Sequence, residues 1–325
     1  MDLRRVQRTG GGTFQVSLPK DWAEKNRLDR GSLVSVSERA DGRLVVDPRY
    51  GVEPAPRTAV ISPSSHLVHE IIGNYLLGYD IIRVEAKGRI SPEERERVKQ
   101  RSGRLIGLEI IEEDHSKIVM QCLLDLSAFP PERILRREYT IAAGMHRDAV
   151  TALLEGEASL ARNVIARDDE VDRLYFLLVR ILRTVIQNPH LGEKLGIPPI
   201  DCLDYRLGAS LVEAIGDQST QIAENTVKLG GMKVTRELSR ALADLHRLVY
   251  DAHEDAVKAL FSRDILLIES VRNRREAVEA AFREVEANAQ AQPAEFAPYI
   301  LTASSMCRIY DHSVDIADLG YGHPP

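Results

Sequence analysis

Two regimes of apolar spacing divide this chain of 325 residues. Before about residue 126 the apolar positions fall in short extended-type runs broken by glycine, proline and Asp-Gly. After about Pro131 they recur every three or four residues, as in Leu174, Leu177, Leu178, Ile181 and Leu182. Extended runs suit strands, whereas three-and-four spacing lines one face of a helix. Arg4–Thr9 and Thr13–Leu18 predict two strands around Gly10-Gly11-Gly12. Pro19 opens a short helix reaching about Asn26, and Ser32–Ser37 with Arg43–Val46 predict a second hairpin turned at Asp41-Gly42. Residues 51–57, with Pro54 and Pro56, read as a linker. A strand near Ala59–Ile61, a helix over about Ser65–Leu77, a strand at Ile81–Glu85, a helix capped by Ser91 and Pro92, and strands at Leu108–Glu112 and Lys117–Leu124 follow. That βαβαββ order predicts a small α/β module, serving as a rigid spacer or an effector domain.

The helical half is written twice. Ile215, Asp217, Ser219, Ile222 and Ala223 return 94 residues later as Ile309, Asp311, Ser313, Ile316 and Ala317. Ala149, Val150, Ala152 and Leu153 return 107 residues later as Ala256, Val257, Ala259 and Leu260. The 13-residue difference fits one insertion in the first copy, at Asn188–Pro199 with its prolines and glycines. Helices over about 132–155, 157–187 and 202–228 form the first three-helix bundle, and 235–261, 263–289 and 294–318 the second.

Composition narrows the function classes. Three dispersed cysteines, Cys122, Cys202 and Cys307, exclude a disulfide framework and a C-x-x-C knuckle. The most apolar run, Leu174–Ile186, is interrupted by Arg180 and Arg183, so a chain without a transmembrane segment, working in the cytoplasm, is expected. Net charge is −6, yet residues 1–50 carry ten Lys or Arg against seven Asp or Glu, leaving −9 on the remainder. Such an asymmetry lets a basic module face a polyanion while an acidic body stays away. The glycine run at 10–12 is no phosphate loop, because a strand and not a helix follows it. No G-x-S-x-G, H-E-x-x-H or Walker sequence occurs, and His246 with His253, seven apart, lack a third ligand for zinc.

Arg5-Val6-Gln7-Arg8-Thr9-Gly10-Gly11-Gly12-Thr13-Phe14-Gln15-Val16-Ser17-Leu18-Pro19-Lys20-Asp21-Trp22, followed by Leu28-Asp29-Arg30-Gly31-Ser32-Leu33-Val34, resembles the swapped-hairpin DNA-binding module of AbrB and SpoVT. The resemblance spans about 45 residues and implies two interlaced chains binding DNA, with Arg4, Arg5, Arg8 and Lys20 as the contacts. Read without it, these four are solvated charges on a dimerisation hairpin.

Asp168 and Asp172 stand four apart on one predicted helix, and Glu213 and Asp217 four apart on the next. Such pairs either hold a hard cation through oxygen ligands or are solvated charges. Arg206-Leu207, Leu211, Val212-Glu213-Ala214-Ile215-Gly216-Asp217 and Ile222-Ala223-Glu224-Asn225 resemble the hallmark helix of the PhoU family, and Asp169-Glu170-Val171-Asp172-Arg173-Leu174 its preceding helix. That resemblance implies tandem three-helix bundles, a regulatory role in phosphate uptake without catalysis, and divalent or ferric metal ions on Asp168, Asp172, Glu213 and Asp217. The second copy departs from it. Cys307 stands in the place of Glu213, and aligning Val271 with Ile165 puts Arg274 and Val278 at the positions of Asp168 and Asp172. Asp311 with Asp315, and Asp251 with Asp255, are displaced acidic pairs.

The sequence therefore predicts a multidomain chain. A small β-rich swapped-hairpin domain covers 1–50, an α/β module 58–130, and all-α tandem three-helix bundles 131–229 and 230–320. The order resembles that of archaeal phosphate regulators, which implies a homodimer joined through the amino-terminal domain, an operator DNA as partner and a phosphate-responsive output. Two other functions stay open: an adaptor acting on a phosphate ABC transporter or sensor protein without DNA, and a metal-dependent phosphohydrolase.

Overall fold

A computed structural model describes residues 3–38, 42–48, 55–230, 234–292 and 296–321. Asp41 of the expected hairpin turn, residues 51–54 of the expected linker and 294–295 of the last expected helix lie outside them. The chain forms two compact units, Met1–Pro56 and Arg57–Pro325.

In the first unit β1 (Gln7–Arg8) pairs antiparallel with β2 (Phe14–Gln15), α1 spans Lys20–Lys25, and β3 (Ser35–Glu38) pairs with β4 (Leu44–Asp47). The first two strands are much shorter than their sequence runs predict. A physical reason is burial: no described residue of this unit is buried, and Val6, Phe14, Val16, Leu33, Val36 and Leu44 stand more than half exposed. Strands that cover no core have little to hold them beyond their own ladder.

In the second unit β5 (Thr58–Ile61), β6 (Ile81–Glu85), β7 (Leu108–Glu113) and β8 (Lys117–Cys122) form a sheet of order β5-β6-β8-β7, with only the first pair parallel. Helices α2 (Leu67–Leu76) and α3 (Pro92–Ser102) complete the expected βαβαββ order. Ser91 and Glu94 close a reciprocal cap at the start of α3, as serine followed by proline predicts. Ile71, Tyr75, Ile82, Val84, Val98, Ile118 and Met120 form the module's core.

The helices are α4 (Pro131–Glu155), α5 (Ala158–Gln187), α6 (Pro189–Leu195), α7 (Asp201–Leu229), α8 (Arg236–Ser262), α9 (Ile265–Arg272), α10 (Arg275–Ala289) and α11 (Phe296–Asp318). The short α6 occupies the predicted insertion. One continuous apolar core runs through both copies. Phe176 of α5 packs against the core of the α/β module. The buried Arg180 donates from Nη1 to the Tyr75 carbonyl at 2.7 Å and the Tyr79 carbonyl at 2.9 Å, and Arg104 pairs with Asp169.

Equivalent hydrogen bonds prove the duplication in atoms. Ser219 donates to the Ile215 carbonyl at 2.8 Å and Ser313 to the Ile309 carbonyl at 2.7 Å. Arg167 pairs with Asp148 at 2.6 Å, and Arg274 with Asp255 at 2.6 Å, each residue 107 from its counterpart. Gly156 ends α4 in the left-handed conformation at φ 71°, and Arg263 ends α8 there at φ 56°. Where the copies meet, His146 and His246 rings lie edge to face at 4.7 Å, and Tyr139 and His253 at 4.9 Å. Tyr139 corresponds to His246 and His146 to His253, so this is one contact made twice with the copies exchanged.

The second copy differs at one predicted helix. The segment expected to run unbroken over 263–289 is split between α9 and α10 at Asn273 and Arg274. Tyr310 explains the break: its hydroxyl donates to the carbonyls of Val271 at 2.9 Å and Arg272 at 3.1 Å, acceptors that a continuous helix gives to amides four residues on. The first copy has Gly216 at the position of Tyr310, 94 residues earlier, and α5 runs through without interruption.

Candidate functional site

Helices α5 and α7 approach closely because Gly216 faces Val171; a Cβ at Gly216 would stand 3.5 Å from the Val171 side chain. Asp168 and Asp172 project from α5 on one side of this contact, and Glu213 and Asp217 from α7 on the other. The helical spacing read from the sequence thus gathers all four into one electrostatic neighbourhood. Thr220 donates to Asp168 at 3.1 Å. Burial raises the pKa of Asp172 to about 6, with Asp168 and Asp217 adding repulsion, and raises that of Glu213 to about 7, with Asp217 and Asp172 adding to it. Asp168 and Asp217 are raised for the same first cause. Asp217 is the most exposed of the four by surface area.

A fifth carboxylate lies beneath them. Glu138 of α4 is fully buried, and neither of its oxygens has a hydrogen-bond partner. Desolvation, then the nearby Glu213, pushes its carboxyl well above the ordinary range. Sequence reading missed Glu138, although the signal was there: it interrupts the apolar stripe Ile134, Leu135, Ala142 and Met145 of α4 at helical spacing.

Five carboxylates on three helices form an oxygen donor set suited to a hard cation, and a cation would relieve their repulsion and the stranded Glu138. Among the described residues no three or more His, Cys, Asp or Glu side chains converge at ligand separation as they stand. The chemistry fits a metal, while the side chains would have to turn inward to hold one.

The second copy has resolved the same place differently. The paired Arg167–Asp148 and Arg274–Asp255 bridges set the register at 107 residues, one more than the alignment of Val271 with Ile165 assumes. Arg275, not Arg274, then stands at the position of Asp168, and Glu279, not Val278, at that of Asp172; Val278 corresponds to the buried Val171. Arg275 pairs with Asp311, the counterpart of Asp217, at 3.2 Å and lies over the Tyr310 ring. Leu245 stands where Glu138 does. A guanidinium fixed in the chain thus occupies the role a bound cation would have. Asp255 is spent on Arg274 rather than on Asp251.

Of the other singled-out residues, His246 and His253 do share a face. His146 joins them, its Nε2 3.2 Å from the Nδ1 of His246. Burial lowers all three, His246 to about 4 and His253 to about 3, so they are neutral at pH 7. Burial also holds Cys307 up near 11, as an unreactive thiol. On the amino-terminal unit Arg4, Arg5, Arg8 and Lys20 are all exposed. Arg8 lies 5.8 Å above Phe14 across the β1–β2 pair, and Lys20 pairs loosely with Glu24 at 3.6 Å. Among the described residues no helix is long and apolar enough to cross a membrane.

Comparison with known proteins bears on the family and the fold. Residues 7–53 match the family model described as "Antidote-toxin recognition MazE, bacterial antitoxin". The Phosphate-specific transport system accessory protein PhoU homolog of Rhizobium meliloti (strain 1021) is 27% identical over 213 residues, covering 60% of this chain and 86% of that protein. The crystal structure of PhoU from Pseudomonas aeruginosa shares the fold, with a TM-score of 0.53 at 18% identity over 60% of this chain and 95% of that one. The PhoU domain model matches residues 135–226 and 242–320, the two helical copies and more than half of the chain, and the protein belongs to the PhoU family.

Proposed function

We propose that the protein is a phosphate-responsive regulator. Its hairpin module binds operator DNA as a homodimer, and its PhoU copies relay phosphate status through the occupancy of the acidic site or through a partner protein. The observation that carries this reading is the joining, in one chain, of a basic hairpin unit in which no described residue is buried to a PhoU bundle whose first copy gathers four acids. A unit that leaves seven large apolar residues more than half exposed, Leu3 among them, is completed by a second copy of itself. Doubling then presents eight basic side chains from Arg4, Arg5, Arg8 and Lys20 to a duplex. If most neutralise a phosphate, affinity falls about 10³–10⁵-fold between 50 and 200 mM salt.

A divalent or ferric ion held by Asp168, Asp172, Glu213 and Asp217 is part of the reading. It would supply the positive charge that the second copy draws from Arg275, and it would draw Glu138 into ionised form. No catalytic step is assigned to it. A chain of this kind works in the cytoplasm, where its DNA partner is.

Gel retardation with the protein's own upstream region, beside metal analysis of the purified chain, tests both halves. Retardation should weaken with salt and vanish in Arg5→Ala/Arg8→Ala; no retardation at low salt removes the DNA half. Metal should be bound once per chain or cluster and lost in Asp172→Asn/Asp217→Asn. A second reading is favoured by the name of the Rhizobium relative: an adaptor to phosphate-transport components, with the hairpin serving dimerisation alone. It predicts a dimer that is indifferent to DNA.

A further inference from the structure

A cavity of about 370 Å³ opens where the end of the α/β module meets the first turns of α4 and the middle of α5. It is separate from the acidic site. Its floor is apolar, made by Ile106, Phe129, Ile134, Leu174 and Leu177. Its rim is cationic. Arg133, Arg137 and Arg173 stand around the mouth with one acid, Glu170. Arg137 donates to Glu170 at 2.9 Å, which neutralises that pair. The guanidinium groups of Arg133 and Arg173 make no hydrogen bond or ion pair among the described residues, so two charged forks line the opening without a carboxylate partner, while the backbone amide of Arg133 donates to the Pro130 carbonyl at 3.0 Å. This local charge of +2 sits on a chain whose net charge is −6, where an arginine more commonly finds a carboxylate.

We infer that this cavity is a binding site for a small amphipathic dianion, a phosphate monoester with an apolar body. The volume lies within the range of small-molecule sites, and such sites combine mostly apolar walls with a few convergent polar groups. Two guanidinium forks match two negative charges and the geometry of a phosphate. The apolar floor asks for a body that inorganic phosphate lacks. The inference stands whether or not the acidic site holds metal.

Fluorescence titration of the full chain with 1-naphthyl phosphate tests it. Saturable one-to-one binding is expected, weakened at least tenfold in Arg133→Ala/Arg173→Ala, whose two side chains are exposed. Ala128→Trp, on an exposed turn at the mouth, should block entry with both arginines in place. 1-Naphthol should bind at least tenfold more weakly, and inorganic phosphate should fail to displace the probe at equal concentration. Equal affinity for naphthol reduces the cavity to an apolar patch and overturns the inference. So do full displacement by inorganic phosphate, unchanged binding in both variants, and absence of binding below about 1 mM, the affinity at which only ~4 kcal/mol of binding energy is present.

Discussion

The two PhoU copies keep the same packing and reach opposite electrostatic solutions. In both, an arginine of the second helical segment, Arg167 within α5 and Arg274 at the break between α9 and α10, holds an aspartate of the first, and a serine of the third bonds back to its own helix. Around one position the charges part company. The first copy crowds Glu138, Asp168, Asp172, Glu213 and Asp217 together, each with a raised pKa. The second sets Arg275 against Asp311 and puts Leu245 in place of the buried acid. A fold that stands with the second set does not need the first. The carboxylate cluster therefore works against stability, which is the usual signature of groups kept for binding.

The largest test of this comparison concerns Arg180. Its counterpart in the second copy is Ala287, because no α/β module docks there. Arg180→Ala removes a buried guanidinium and leaves the Tyr79 carbonyl without its donor, while the Tyr75 carbonyl keeps only the Gly78 amide at 3.0 Å. We expect a loss of about 3 kcal/mol, since hydrogen bonds to charged groups contribute ~1.5–3 kcal/mol each. Urea denaturation should show the loss. Hydrogen exchange should open α2 and β6 before the bundle, and simultaneous opening of both would mean that module and bundle are coupled by something other than this residue.

Glu138→Leu makes the first copy like the second and should have the opposite sign. A buried carboxyl without hydrogen bonds costs about 1–3 kcal/mol. The variant should melt higher than the parent when both are free of metal. The advantage should shrink or reverse when divalent or ferric ions are added, because only the parent gains from binding. A variant that is less stable without metal would mean that Glu138 has a partner in the folded state.

Much of this contrast was legible in the sequence, and the part that was not has a physical cause. The helices, the duplication, the βαβαββ order and the Ser91 cap follow from local spacing and capping chemistry, which a sequence states directly. The four acids follow from i, i+4 spacing on two helices that any three-helix bundle packs together. Glu138 needed the third helix and its burial, which spacing alone does not report. The one-residue error in placing Arg274 arose because Ala166-Arg167-Asp168 and Asn273-Arg274-Arg275 share no side chain except the bridging arginine; the 107-residue offset of Ala149–Leu153 and Ala256–Leu260 already carried the correct register, and the bridges to Asp148 and Asp255 agree with it. The split at Asn273 depended on a hydroxyl from Tyr310, 36 residues away in sequence from Arg274 and so invisible to any local rule. The short β1 and β2 reflect a unit in which no described residue is buried.

The smallest expected effects give the sharpest contrast, because they differ in sign and in pH dependence. Glu213 has a folded pKa raised to about 7, above its ordinary value near 4.5. Between these values the folded state binds the proton more tightly than the unfolded one. As pH rises through that window, stability is lost, and the loss is complete above the folded pKa. Glu213→Gln should therefore raise the melting temperature of the metal-free chain at pH 8 and do almost nothing at pH 4.5. The gain is at most about 1 kcal/mol once the partial exposure of the side chain is allowed for. Asp311→Asn breaks the Arg275 pair, whose partners are about half exposed, and should cost no more than ~0.5 kcal/mol at pH 8. The buried histidines of the seam pull the other way as pH falls, since their depressed pKa values make protonation favour the unfolded state. Comparing each variant with its parent at the same pH cancels that background. Opposite signs at pH 8 mean that the two copies answer the same packing problem with opposite charge. Like signs would mean that the crowded acids of the first copy are already paired within the protein, and the case for a cation there would fall with them.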